Sequence, residues 1–270
     1  MKNAFIAMFL SLSFLGCLEF DILVKVNPDG SGTVEQTVLM NKTLIHEMKE
    51  MTQSFGGQDG TKGNGFNLID KKKLSEEAQA MGKGVRFSHV SEISNADQEG
   101  YTAYYTFDDI AALSINQSPT GKTPISQKSD ESTQKEPLIF TFTKGIPATL
   151  IIHQTEHAIK PDINKEETEE SQPEMNDTSD IEMLMSMIKG FRLSMVLQVN
   201  GTILKTNATN VDANRVTLME IDFQQLIRDR HKFLAISKHK PQTIEEAKQV
   251  LKDIPGIKFE MAKETTIQFQ

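Results

Sequence analysis

Apolar and polar residues alternate with a period of two at both ends of this chain of 270 residues. Phe20, Ile22, Val24 and Val26 stand between mostly polar neighbours, the pattern of a strand with one buried face. PDGSG (28–32) follows, and its Asp29-Gly30 pair is a hairpin-turn signal. Val34, Val38 and Met40 then mark the returning strand. Asn41 is placed to cap a helix whose apolar face is Leu44, Ile45, Met48, Met51 and Phe55, with Gly56 as its stop. The loop GGQDGTKGNG leads to a second predicted helix over 71–81, carrying Leu74, Ala78 and Met81. Val85 to Ile93 and Tyr101 to Phe107 predict another hairpin.

Two stretches interrupt this rhythm. Residues 114–137 are rich in Ser, Thr, Gln, Lys and Pro, with Ile115 and Ile125 as their large apolar residues, too few to offset the entropy of ordering. Residues 156–178 are strongly acidic. Both are expected to be disordered insertions. Between them, Leu138 to Thr143 and Ala148 to His153 read as strands around Lys144-Gly145-Ile146-Pro147. Ser179 and Glu182 form a capping box for a helix through Lys189, which Gly190 stops. Phe191, Leu193, Met195, Leu197 and Val199 line one face of a strand, with Arg215 to Phe223 as its expected partner. Helices over 224–232 and 244–252 come next. Ile257, Phe259, Met261, Thr265, Ile267 and Phe269 then alternate as a closing strand. Strands with intervening short helices and no βαβ rhythm predict an α+β fold built on a mainly antiparallel sheet. We expect one composite domain over 17–270, holding both insertions.

The first sixteen residues read differently. Lys2 precedes Ala4 to Leu15, in which only Ser11 and Ser13 are polar. The run is too short to span a bilayer, which takes about 20 apolar residues, and suits the core of a signal peptide. Phe14-Leu15-Gly16-Cys17 resembles a bacterial lipobox, so Cys17, the one cysteine of the chain, is expected to carry acyl chains such as palmitate after cleavage at residue 16. Each buried methylene contributes about 0.8 kcal/mol, so two or three chains hold a protein firmly on a membrane. Acylation would leave no free thiol, which excludes disulfides, thiol catalysis and cysteine metal sites. The expected location is the cell membrane or the outer membrane, facing the periplasm or the exterior. Leu18 stands where an aspartate would favour inner-membrane retention.

The NPDGSG hairpin just after this cysteine, together with GFRLSMVLQVNGTILKTNATNVDANRVTLMEIDF (190–223), resembles the LppM-type domain of bacterial lipoproteins. Gly201, Asn207-Ala208 and Asn214 to Thr217 stand at its turn and return-strand positions. The resemblance covers the two ends of the chain better than its middle. It implies an α+β envelope domain that binds a lipid or another envelope component, and it brings no catalytic residues.

Charge narrows the partners. Of a net −8, residues 156–182 hold ten acids against Lys160 and Lys165, so the remainder is close to neutral. With no basic stripe to displace counterions, nucleic acid is not an expected partner. The acidic run reads as a solvated linker and lacks the order of an EF-hand loop. Chemistry-bearing motifs are few. His153-Gln154-Thr155-Glu156-His157 spells H-x-x-E-H, an inverted zincin pattern whose histidines would bind zinc on a helix. Here the first histidine closes a strand and Pro161 bars a helix beyond the second, so a zinc hydrolase on His153, Glu156 and His157 is the minor alternative. No P-loop, dinucleotide fingerprint or G-x-S-x-G is present, and no cofactor is expected. Ile181 to Ile188 carries apolar residues on nearly every side. Met183, Leu184, Met187 and Ile188 are therefore candidates for contact with acyl chains or a partner groove, against the plainer reading of a short core helix.

Overall fold

A computed structural model describes residues 18–55, 68–116, 137–154, 190–228 and 254–270, with the backbone alone for Met51 to Phe55. These residues form mostly strand with few helices, arranged in two sheets.

The larger sheet is built on the first hairpin. Strand β1 (Leu18–Val26) buries Phe20, Ile22, Val24 and Val26, as the alternation predicts, and β2 (Gly32–Asn41) returns antiparallel, with Leu18 opposite Met40 and Val26 opposite Gly32. In the turn, Gly30 adopts φ +89°, and a Cβ there would lie 2.7 Å from the Phe142 ring. Only glycine fits both demands. Asn41 Oδ1 accepts from the Thr43 N–H at 2.7 Å and caps helix α1 (Lys42–Phe55), which buries Ile45 and Met48. Asp70 caps α2 (Lys71–Ala80) in the same way, and Leu74 and Ala78 face the core. The second hairpin is β3 (Arg86–Ser94) and β4 (Gln98–Phe107), with β4 alongside β2.

On the other side of β1 lies β8 (Arg192–Val199), and this pairing is parallel. It joins residues about 170 positions apart in the chain. Further out come β11 (Arg215–Asp222) and, along its far edge, both β10 (Val211–Asp212) and β12 (Ile257–Phe259). The order is β10-β11-β8-β1-β2-β4-β3, with β12 also on β11.

The smaller sheet has the order β5-β6-β7-β13-β9 and is antiparallel throughout its described pairings. It comprises β5 (Ser114–Asn116), β6 (Pro137–Thr143), β7 (Ala148–His153), β9 (Ile203–Thr206) and β13 (Glu264–Phe269). Its inward residues, among them Ile115, Phe140, Leu150, Ile267 and Phe269, join those of the larger sheet in one hydrophobic cluster.

Three expectations need correction. Residues 114–116 are not loop: Ile115 is buried, so even three residues make a useful edge strand against β6. The remainder of that insertion, 117–136, lies outside the described residues, as does the acidic stretch 156–178. The closing alternation is two strands in different sheets, because the chain crosses over between Phe259 and Glu264. Of the helix predicted over 224–232, residues 229–232 lie outside the described residues, and ahead of them a single turn, α3 (Phe223–Leu226), is capped by Asp222. The helices predicted from Ser179 to Lys189 and over 244–252 fall outside the described residues.

Candidate functional site

Cys17, Met183, Leu184, Met187 and Ile188, with Glu156 and His157 of the zincin pattern, lie outside the described residues. What is described is the ground next to the cysteine. Alternation that begins at Phe20 would leave Leu18 and Glu19 as a two-residue tether to the cysteine. Instead Leu18 already pairs with Met40, and Glu19 lies level with Arg192 of β8. Glu19 Oε1 also accepts from Gln98 Nε2 at 3.0 Å. Hydrophobic pairing with Met40 draws Leu18 into the ladder, so the sheet starts at the residue after the cysteine. Beside it, charges alternate across four strands. Arg192 reaches Asp21 at 3.5 Å and Glu220 at 3.9 Å, and Lys258 meets Glu220 at 2.7 Å. These side chains are partly exposed, so each pair adds little stability.

His153 is the one described member of the zincin pattern, and it ends a strand, as its sequence context indicates. Its ring lies on the outer face of the smaller sheet. Nε2 is 2.9 Å from Thr141 Oγ1 on β6, and Nδ1 is 3.2 Å from Glu264 Oε1 on β13. Hydroxyl, imidazole and carboxylate thus follow the order of a nucleophile, base and orienting acid. Acyl transfer further needs free N–H donors aimed at the developing oxyanion. Here β7 is paired on both sides, by β6 and β13, which commits its N–H groups to the ladders. The triplet therefore acts as a cross-strand clasp. Zinc could reach His153 only by opening it, and among the described residues no three His, Cys, Asp or Glu side chains converge on a metal position.

The interior holds a polar group of its own. Tyr105 is fully buried on the inner face of β4, and its hydroxyl donates to Glu77 Oε2 of α2 at 3.3 Å. Burial, then the nearby Glu77 charge, pushes the Tyr101 phenol up to about 12 and drives Tyr105 higher still. Gln36 lies opposite Ala103 in the β2–β4 ladder, 2% exposed, its Oε1 without a hydrogen-bond partner.

A buried carboxylate fastens the crossover between the sheets. Glu260, 1% exposed, follows β12. Its Oε2 accepts from the Thr209 N–H at 2.7 Å, and its Oε1 accepts from Thr209 Oγ1 at 2.9 Å and the Ala262 N–H at 3.0 Å. Close by, Asn210 Nδ2 donates to the Phe259 carbonyl at 3.0 Å, and Asn207 bridges the Glu264 carbonyl and the Thr266 N–H. Sequence reading passed over Glu260 and Glu264. Their partners are up to 111 positions away, and nothing in the local pattern marks them. Thr141 was more accessible, since the turn at 144–147 places it diagonally across from His153.

No family model matches the chain, and no curated protein does. Among solved structures, the NMR structure of the folded domain of Mycobacterium tuberculosis LppM is similar to it, at 10% identity, covering 94% of this chain and 90% of that one, with a TM-score of 0.33. The LppM-type domain named from the turn motifs is thus the one that the structural comparison also returns. At that TM-score the functional reading rests on this chain's own residues.

Proposed function

We propose that the chain is a bacterial lipoprotein, held by acyl chains on Cys17, whose folded part is a non-catalytic binding or assembly module at the envelope. Its partner is a lipid or an envelope protein, met at the membrane surface. The supporting observation is that β1 begins at Leu18, directly after the lipobox cysteine, with no polar linker to carry the domain away from the bilayer. An extended residue spans about 3.3 Å, so a protein that reached across a periplasm would place a long linker here. Labelled palmitate fed to cells expressing the chain should enter it and be absent from Cys17→Ser. Label that persists in Cys17→Ser would remove the basis for this reading.

A further inference from the structure

The inner face of the larger sheet changes character in its last row, at the end beside Cys17. Glu19 lies level with Arg192 in the parallel pair, and Asp222 faces Arg192 in the antiparallel one. One step outward, Leu18, Phe191 and Phe223 come level. The Phe223 N–H donates to the Phe191 carbonyl at 3.0 Å, and the two rings stand edge to face, centroids 5.4 Å apart at 68°. All three side chains are half-buried, whereas Phe20 and Leu193, in the next row, are 5% and 6% exposed. A partly exposed apolar, aromatic rim thus lies at the end of the sheet where β1 begins.

Among the described residues, charge at this level gives no alternative source of membrane attraction. Glu19, Asp97, Glu99 and Asp222 stand against Lys42 and Arg192, and Lys42 is already engaged with the Asn95 carbonyl. A surface drawn to anionic headgroups needs a basic excess, which these residues do not supply. At the opposite end, Gly30 packs against Phe142, and the β6–β7 turn beyond it exposes 93% of Ile146. The nine residues of β1 separate the two ends by about 26 Å.

We propose that the Leu18–Phe191–Phe223 rim seats in the boundary between headgroups and acyl chains of the bilayer, so that the domain stands upright with Ile146 facing away. Aromatic rings with one apolar side suit that boundary. The inference rests on lipidation of Cys17, which brings the rim to the surface. It deepens the proposed function by naming the bilayer itself as the first partner of this end.

The chain contains no tryptophan, so a single substitution creates a sole tryptophan, which excitation beyond the tyrosine absorption band reads selectively. Full-length lipidated Phe223→Trp and Phe191→Trp, in phosphatidylcholine vesicles, should emit at shorter wavelength than Ile146→Trp in the same vesicles, and should lose most of their intensity when the acyl chains are brominated. Ile146→Trp should keep its intensity. The quenching should persist in high salt, which screens charge but not apolar contact. If either phenylalanine variant fails to fold by circular dichroism, Leu18→Trp reports on the same rim. Palmitate incorporation is measured on the same samples. Absence of label overturns the lipoprotein reading, and the rim contact with it. Label with unquenched rim tryptophans overturns the rim contact alone, and quenching at Ile146→Trp overturns the upright orientation.

Discussion

Removing the Glu260 carboxylate should be among the most damaging single changes in the described fold. Glu260→Ala leaves the Thr209 and Ala262 N–H groups and the Thr209 hydroxyl without their acceptor, in a site where the side chain was 1% exposed. A buried donor deprived of its partner costs about 1–3 kcal/mol, and partial relaxation brings the sum for three to about 3–5 kcal/mol. In a chain of this size each kcal/mol moves the melting temperature by about 2–4 °C, so the loss should be roughly 6–20 °C. Glu260→Gln separates charge from geometry. Its oxygen can keep the two bonds at the Oε1 position, while its amide nitrogen would face the Thr209 N–H, donor against donor. It should fall between wild type and Glu260→Ala. Thermal unfolding followed by circular dichroism reads both variants. If Glu260→Ala melts within about 2 °C of wild type, the carboxylate does not hold the crossover and the reasoning fails.

Two further outcomes follow from the described side chains. Tyr101 and Tyr105 should resist ionisation in an alkaline titration followed at 295 nm, giving up their protons only as the fold opens. Their folded values lie above the unfolded value of 10.0, so above that pH the unfolded chain holds fewer protons than the native one. Stability should therefore be intact below pH 10 and fall as pH rises through about 12, where Tyr101 titrates. Titration of Tyr101 and Tyr105 near 10.0 while the protein stays folded would contradict this reading. His153→Ala should leave the metal content of purified protein unchanged, since the ring is held by Thr141 and Glu264. Stoichiometric zinc that disappears in this variant would revive the hydrolase alternative.

What could be read from the sequence was what neighbours in the chain decide. The β1–β2 hairpin follows from alternation on both sides of Asp29-Gly30, and the caps at Asn41 and Asp70 follow from short polar side chains ahead of an apolar stripe. Pairings set at a distance left no such mark. Phe191 to Val199 reads as a strand with one buried face, yet nothing in it says that it lies parallel to β1. The alternation from Ile257 to Phe269 is the same whether the chain stays in one sheet or changes sheet, and the change is made by Glu260 holding Thr209, a contact across about fifty residues. The rim was missed for the same reason. Leu18, Phe191 and Phe223 are unremarkable singly, and become a surface only through the register of three strands.

The position of β1 within its sheet bears on why an anchor would be attached there. The strand is interior, with nine register pairs to β2 on one side and eight to β8 on the other. Ladder hydrogen bonds run nearly perpendicular to the strands in the antiparallel pair and at a slant in the parallel one. A pull along β1 from Cys17 would therefore load many bonds on both sides together, instead of opening them one at a time, as a pull across an edge strand does. Edge strands such as β5, with three residues, or β10, with two, have no such reserve. An anchor placed directly on a doubly paired strand needs no linker to protect the fold from the tether. It would also fix which end of the sheet faces a bilayer, because a strand hydrogen-bonded along its whole length cannot pivot about its first residue. Tether, register and rim are thus one arrangement. The parallel β1–β8 pair brings Phe191 level with Leu18, and Phe223 follows through its bond to Phe191, so the ladder that would carry the load also sets the aromatic residues at the surface.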